Sequence, residues 1–172
     1  MKKKVVVDFD DVLVPTLENA IILFNKENTQ VSIEDFTCWD TSKVASNFCE
    51  YFYKIDFTKI QEKNNSIHYM RELCERYEVY IVTASHVDKF KEKQEWVAKN
   101  MPFFNIKNMV LCHDKSIIKA FAMVDDRAFN LKYCDVECKF LYSTLHNKCD
   151  TGFNRVSDLG DFINKLQKYC LT

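Results

Sequence analysis

The chain has 172 residues, 47% of them hydrophobic, and a formal net charge of −1. This length fits one domain with its own core, and the near-neutral charge gives no support for a nucleic-acid or membrane-surface protein, for which a basic excess is expected. The lysine-rich start is followed by only three valines, and no apolar run approaches the roughly 20 residues of a membrane span, so we expect a cytoplasmic protein without a signal peptide.

The cysteine and glycine content limits the kinds of metal site and phosphate site that the chain can form. Eight cysteines without a secretion signal favour free thiols. Cys134 and Cys138 lack a second cysteine pair that would complete a zinc site. The two glycines, Gly152 and Gly160, lie near the C-terminus, which excludes a glycine-rich phosphate loop. A phosphate site would therefore need a metal ion, lysine, hydroxyl groups or helix N-termini.

The first predicted element is a buried strand over residues 4–9, because its side chains are apolar and β-branched. Three carboxylates, Asp8, Asp10 and Asp11, lie at its end. Strand alternation places Asp8 and Asp10 on the same side. An acidic turn that caps the next helix is the alternative. An EF-hand calcium loop is excluded, because other residues occupy its required glycine and glutamate positions.

A small helical cap is predicted between the first and the second strand. A helix begins near Pro15 and Thr16, and an aromatic-rich segment follows later in the same region. We expect residues 16–63 to form this cap and residues 1–15 and 64–172 to form a catalytic α/β core.

The rest of the chain alternates strands and helices. The predicted strands cover residues 79–84, 106–111, 120–124 and 139–143, and the helices cover 66–77, 87–100 and a segment after Ser157. This alternation is typical of an α/β fold with a Rossmann-like parallel sheet flanked by helices. The charged side chains of the second of these helices, Lys93 among them, are predicted to form a solvated face.

Adjacent carboxylates, Asp125 and Asp126, follow the strand predicted at residues 120–124. Such a pair is unfavourable at an apolar strand end without a cation, although Asp126 could instead pair with Arg127. Parallel strands with right-handed crossovers bring this end to the same edge of the sheet as Asp8. Together these carboxylates predict a hard-oxygen site suited to Mg²⁺.

Further residues suit phosphate or a base. Thr83 ends the second strand, and its hydroxyl, with the backbone N–H groups that begin at Ala84, suits an anion. Lys115 lies in a loop ahead of the acidic strand end, where it could contact phosphate. Each signal is weak alone, since threonines commonly cap helices and loop lysines are usually solvated. Trp39 either packs inside the cap or offers a flat surface to a nucleobase.

These motifs resemble those of the haloacid dehalogenase superfamily of phosphatases. Residues 5–13 are similar to the first motif, Val82–Thr83 to the second, Lys115 to the third and residues 124–126 to the fourth. Within the superfamily, the chain looks most like the 5′(3′)-deoxyribonucleotidases, a likeness that extends to Leu145-His146-Asn147.

The chain departs from that family at two positions. Asp11 stands where glycine is common, and no role is assigned to it. Ala84 stands where the mammalian enzymes carry serine, so one contact to phosphate would be absent.

The resemblance implies a phosphatase for (deoxy)ribonucleoside 5′- or 3′-monophosphates. Asp8 would attack phosphorus and form an aspartyl-phosphate, and Asp10 would act as the general acid and base. Lys115, Thr83 and Ala84 would bind the phosphate.

The resemblance also implies a Mg²⁺ cofactor. Its ligands would be the carboxylates of Asp8 and Asp126 and the backbone carbonyl of Asp10. Asp125 would be a further ligand or would orient metal-bound waters or Lys115.

The expected partner is a small-molecule nucleotide, with no stable nucleic-acid complex and no membrane, and a homodimer is left open. Two alternatives to the nucleotidase remain open as well. One is a related phosphatase for another small phosphate ester or a polynucleotide 3′ end. The other is a non-catalytic phosphate-binding protein.

Overall fold

The structure, a computed structural model, describes residues 1–170. In this range six strands form one parallel sheet: β1 Lys4–Val7, β2 Glu78–Thr83, β3 Met109–Leu111, β4 Lys119–Asp125, β5 Asp135–Tyr142 and β6 Asn154–Val156. The α-helices are α1 Thr16–Phe24, α2 Glu50–Lys54, α3 Ser66–Arg76, α4 Val87–Asn100, α5 Ala128–Tyr133 and α6 Leu159–Cys170. The predicted α/β class with a Rossmann-like sheet is confirmed.

The first strand lies at the centre of the sheet, whose order is β3-β2-β1-β4-β5-β6. Its residues Val5, Val6 and Val7 are buried, as expected of a parallel strand covered on both faces. The strand order reverses at β1, since β2 lies on one side and β4 on the other. Open α/β sheets bind ligands at the carboxyl ends of the strands beside such a reversal.

The polar residues that end β1, β2 and β4 meet at one edge of the sheet, as predicted. Asp8 follows β1 and donates its backbone N–H to the Val124 carbonyl oxygen at 3.0 Å, which extends the pairing with β4. Thr83 and Asp125 are the last residues of β2 and β4. The parallel register therefore places the candidate side chains together.

Several predicted boundaries differ from the structure. The third strand covers only the second half of the predicted segment, because Ile106–Asn108 forms a 3₁₀ turn. The fifth strand begins four residues earlier than predicted, at Asp135, and its first residues alternate between exposed and buried. The edge strand β6 was not predicted, since its three residues include exposed Asn154 and half-buried Arg155.

The segment between α1 and α3, residues 25–65, is called the insert below. It contains α2 and short 3₁₀ turns, and its rings pack against α1, with the Phe24 and Phe48 centroids 5.2 Å apart. Trp96 of α4 donates its indole N–H to the Ile60 carbonyl oxygen at 2.8 Å. The insert is thus anchored to the helices beside the sheet, and the predicted division into cap and core stays a prediction.

Among residues 1–170, no helix combines the length and the apolar character needed to cross a lipid bilayer.

Candidate active site

Five carboxylates converge at the carboxyl edge of the sheet and are called the carboxylate cluster: Asp8, Asp10, Asp11, Asp125 and Asp126. All except Asp10 are buried, and that side chain is 22% exposed. Four of the five line one cavity, as does Lys115. A cluster of this kind is stable only if other groups compensate its charge.

Lys115 lies between two carboxylates of the cluster. Its Nζ donates to Asp8 Oδ1 and to Asp125 Oδ2, each at 2.7 Å. Burial alone would lower the pKa of Lys115, but Asp125 and Asp8 together raise it above its ordinary value. The lysine is therefore a permanent buried cation. The structure places it beside Asp8, where the sequence predicted a phosphate contact.

Both carboxylate oxygens of Asp125 accept hydrogen bonds from groups within the protein. Its oxygens accept hydrogen bonds from Lys115, from the Asn130 amide at 3.0 and 3.1 Å, and from the backbone N–H of Arg127 at 2.8 Å. This arrangement fits a residue that orients Lys115 better than a residue with an oxygen free for a metal ion.

Asp10 is held by three donors. Its Oδ2 accepts from Lys93 Nζ at 2.6 Å and from the Thr83 hydroxyl at 3.0 Å. Its Oδ1 accepts from the Thr16 hydroxyl at 2.9 Å. Thr83 is fully buried, and the cavity is instead lined by Ala84 at this point. The Thr83 hydroxyl therefore fixes Asp10.

The prediction that Lys93 lies on a solvated face is wrong. Its side chain is only 2% exposed, and it lies near the rings of Phe57 and Phe9, 4.7 and 5.3 Å from their centroids. Lys93 precedes Trp96 by three residues, which puts both on the inward face of α4. This spacing was the available signal, but surrounding charges on the helix obscured it.

Asp126 contacts a histidine that the sequence reasoning did not select. His146 Nε2 lies 2.8 Å from Asp126 Oδ2, and both side chains are buried. Burial, then the charges of Asp11 and Asp125, raises the pKa of Asp126 well above its ordinary value. The motif Leu145-His146-Asn147 was noted as family-like, but only the folded chain brings it to the end of β4.

Asp11 adopts a left-handed backbone conformation, with a φ of 55°. Its carboxylate is buried and accepts the Leu17 backbone N–H at 3.0 Å, at the start of α1. Burial raises the pKa of Asp11 to about 7, with Lys63 as the main opposing charge. Glycine adopts this conformation without strain, so the aspartate at this position has a steric cost that glycine would not have.

The carboxylate cluster carries more negative charge than the two buried lysines neutralise. Burial raises the pKa of Asp8 well above its ordinary value, Lys115 opposes the shift and Asp125 adds to it. One carboxylate oxygen from each of Asp8, Asp125 and Asp126 lies within 4.8 Å of the others. Clustered carboxylate oxygens are the donors that a hard divalent cation such as Mg²⁺ prefers, so Asp8 and Asp126 fit the predicted metal ion, while Asp125 holds Lys115 beside them.

The insert supplies an aromatic wall to the same cavity, formed by Trp39, Phe52, Tyr53 and Phe57. The Trp39 ring lies 4.2 Å from the His146 ring, centroid to centroid. Its indole N–H is buried, and within residues 1–170 it has no hydrogen-bond partner. The structure therefore brings the predicted base-binding residue to the cavity.

The chain has the fold of haloacid dehalogenase-like proteins. A haloacid dehalogenase-like protein of unknown function from Agrobacterium tumefaciens aligns over 99% of this chain and 100% of its own, with a TM-score of 0.70 and 11% identity. The putative hydrolase YfnB from Bacillus subtilis, in a structure bound to magnesium, aligns over 96% and 99%, with a TM-score of 0.59 and 11% identity.

Sequence comparison identifies the family within this class. A model of the family described as 5′ nucleotidase, deoxy (Pyrimidine), cytosolic type C protein matches residues 2–167. The chain is 33% identical to a 5′(3′)-deoxyribonucleotidase from Bacillus subtilis, over 96% of this chain and 99% of the relative. The chain belongs to this nucleotidase family and is a phosphoric monoester hydrolase, as the resemblance predicted.

Proposed function

We propose that this protein is a Mg²⁺-dependent phosphatase that hydrolyses (deoxy)ribonucleoside 5′- or 3′-monophosphates through a phosphorylated Asp8. The observation that carries the proposal is the buried Lys115 between Asp8 and Asp125, at the floor of a cavity with an aromatic wall. The floor suits phosphoryl transfer and the wall suits a nucleobase. The name of the Bacillus subtilis relative supports a deoxyribonucleotide substrate.

Asp8 is the nucleophile in this proposal. Lys115 holds Oδ1 of its carboxylate, and we assign Oδ2 to the attack on phosphorus. The bond from Oδ2 to phosphorus forms while the bond from phosphorus to the ribose oxygen breaks. Water then attacks the phosphorus of the aspartyl-phosphate and releases inorganic phosphate and the free Asp8 carboxylate.

Asp10 transfers the protons. It donates one to the departing ribose oxygen and later removes one from the attacking water. Lys93, Thr83 and Thr16 hold both of its oxygens, so the orientation of the carboxylate is set before substrate binds. Preorganisation of this kind is worth several kcal/mol when groups must meet in one geometry.

The metal ligands in the proposal are the carboxylates of Asp8 and Asp126 and the backbone carbonyl of Asp10. When bound, Mg²⁺ supplies positive charge that offsets repulsion between the anionic nucleophile and the anionic substrate. Asp125, whose oxygens are occupied by Lys115 and Asn130, acts by orienting the lysine.

In the proposal the phosphate binds at the floor of carboxylates and Lys115, and the base binds against the aromatic wall. Lys115 and the backbone N–H groups from Ala84 onward bind the phosphate oxygens. The Thr83 hydroxyl positions Asp10. Trp39 presents its ring to the base.

The test is phosphate release from all ribo- and deoxyribonucleoside 5′- and 3′-monophosphates, with Mg²⁺ or with EDTA. Sugar phosphates, p-nitrophenyl phosphate and a 3′-phosphorylated oligonucleotide serve as comparison substrates. We expect a nucleoside monophosphate to give a kcat/KM at least about 10-fold above the comparison substrates, with activity lost in EDTA. Faster hydrolysis of a sugar phosphate or the oligonucleotide, or full activity in EDTA, would contradict the proposal.

A further inference from the structure

We infer that the loop after β5, together with Arg155 of β6, holds the proposed metal ligand Asp126 in place and thereby sets the affinity of the site for its divalent cation. The residues responsible, His146, Asn147 and Arg155, are called the Asp126 clamp. The inference rests on the proposed function, because the role of Asp126 as a metal ligand belongs to that proposal. None of the three clamp residues was selected as a site residue from the sequence.

The first contact is made to the carboxylate of Asp126. His146 is 5% exposed, and its Nε2 lies 2.8 Å from Asp126 Oδ2. A carboxylate that holds a cation is ionised and only accepts hydrogen bonds, so in the metal-bound state of the proposal Nε2 carries the proton. This bond fixes one oxygen and the side-chain rotation, and we assign the other oxygen, Oδ1, to the cation.

The second contact is made to the backbone of Asp126. Asn147 is 1% exposed, and its Nδ2 donates to the Asp126 carbonyl oxygen at 2.6 Å and to the Tyr142 carbonyl oxygen at 2.7 Å. One amide group thus ties the residue after β4 to the last residue of β5. Asp126 is therefore held at its carboxylate and at its main chain.

Arg155 of β6 fixes the position of Asn147 through hydrogen bonds. Its guanidinium donates to Asn147 Oδ1 at 3.0 Å, to the Asn147 carbonyl oxygen at 2.6 Å and to the Asp150 carbonyl oxygen at 2.6 Å. The Asn147 side-chain oxygen also accepts the Thr144 backbone N–H at 3.1 Å. Arg155 is not among the residues that line the cavity, and its contacts with Asn147 connect it to Asp126.

A fixed carboxylate binds a metal ion more tightly than a mobile one, because less conformational freedom is lost on binding. Loss of groups that orient a metal ligand typically weakens metal binding by about 10- to 100-fold. The clamp residues are thus positioning residues, and their substitution should change the dissociation constant of the cation. A merely structural role would change only the stability of the protein.

The experiment measures Mn²⁺ binding to the purified protein, with free Mn²⁺ read from its electron paramagnetic resonance signal. Thermal unfolding in EDTA is measured for each variant in parallel. The variants are His146→Ala, His146→Gln, Arg155→Met, Asp126→Asn and Leu145→Ala. The last is the matched control, because Leu145 lies in the same turn with an exposed side chain.

We expect His146→Ala to raise the Mn²⁺ dissociation constant by about 10-fold or more and Arg155→Met by a smaller factor. His146→Gln should recover part of the affinity, since its amide can donate to Asp126. Leu145→Ala should bind as wild type, and Asp126→Asn should bind most weakly.

Wild-type dissociation constants for His146→Ala and Arg155→Met, alongside weak binding by Asp126→Asn, would overturn the clamp and leave the metal site standing. A lowered unfolding temperature without a change in affinity would overturn the clamp equally. Wild-type affinity in Asp126→Asn would overturn both the proposed ligand and the clamp.

Discussion

The carboxyl edge of the sheet and the insert contribute to the same cavity in contrasting ways. The edge consists of buried charged groups that hold one another, as Lys115 holds Asp8 and Lys93 holds Asp10. The insert contributes rings from irregular chain, among them the half-buried Trp39. The strand ends hold the charged groups in the fixed positions that catalysis needs. The rings of the insert lie on irregular chain that can shift, which suits the selection of a substrate.

This contrast predicts a gradient of mutational effects. A substitution at the edge removes a charge that several neighbours depend on, so its effect on turnover should be large. A substitution in the insert removes contact area, so its effect should be moderate and should depend on the substrate.

Asp8→Asn should lower kcat by at least about 10³-fold, because an amide is a poor nucleophile and removes the charge that Lys115 faces. Steady-state phosphate release with Mg²⁺ measures this. Asp88→Asn is the control, since the Asp88 side chain is 77% exposed. Near-wild-type turnover by Asp8→Asn would show that Asp8 is not the nucleophile.

Lys93→Met should lower kcat by about 100-fold, because the proton-transferring carboxylate of Asp10 loses its closest donor. Methionine keeps much of the buried volume, so the fold should persist. Lys91→Met is the matched control on the same helix, where the lysine is exposed. Equal activity of the two variants would show that the buried Lys93–Asp10 contact is unimportant for turnover.

Trp39→Ala should lower the ratio of nucleotide to p-nitrophenyl phosphate hydrolysis by about 10-fold, because only the nucleotide carries a base to stack. Kinetics with both substrates give the ratio. Tyr133→Ala, which removes an exposed ring outside the cavity, is the control. An unchanged ratio for Trp39→Ala would place base recognition elsewhere.

Asp11→Asn should raise the free energy of unfolding in EDTA by about 1 kcal/mol at pH 8. Folding raises the pKa of Asp11 to about 7, so its charge penalises the folded state increasingly as pH rises from about 4 to 7. The gain should therefore be smaller at pH 5. Asparagine tolerates the left-handed conformation about as well as aspartate, so backbone effects largely cancel.

Urea unfolding of both proteins at pH 5 and pH 8 measures the difference. A gain of equal size at both values would mean that the Asp11 charge does not control the effect.

The sequence predicted the parts of the site that depend on short spacing. Asp8 and Asp10 follow a buried strand, and Asp125 and Asp126 follow another, so a parallel sheet was enough to bring them together. Lys93 was missed because a charged side chain on a helix faces inward only where an oppositely charged partner meets it. Asp10 is that partner, 83 residues away.

The contacts of Asp126 could not be predicted from short spacings in the sequence. His146 and Asn147 reach it across about 20 residues and only because β5 and β6 pair beside β4. The strand β6 is short and partly polar, so no periodic pattern in the sequence predicted it. The interior of the insert was equally hard to predict, since its rings pack through irregular chain.

The central claim, phosphoryl transfer to Asp8, is tested most directly by trapping the aspartyl-phosphate. Enzyme quenched during turnover with Mg²⁺ and its best nucleotide substrate is reduced with borohydride, which converts an acyl phosphate to homoserine, and position 8 is read by peptide mass spectrometry. We predict homoserine at position 8 only when substrate is present, and none in enzyme incubated with phosphate-free nucleoside. Homoserine at another aspartate, with residue 8 unmodified, would contradict the account.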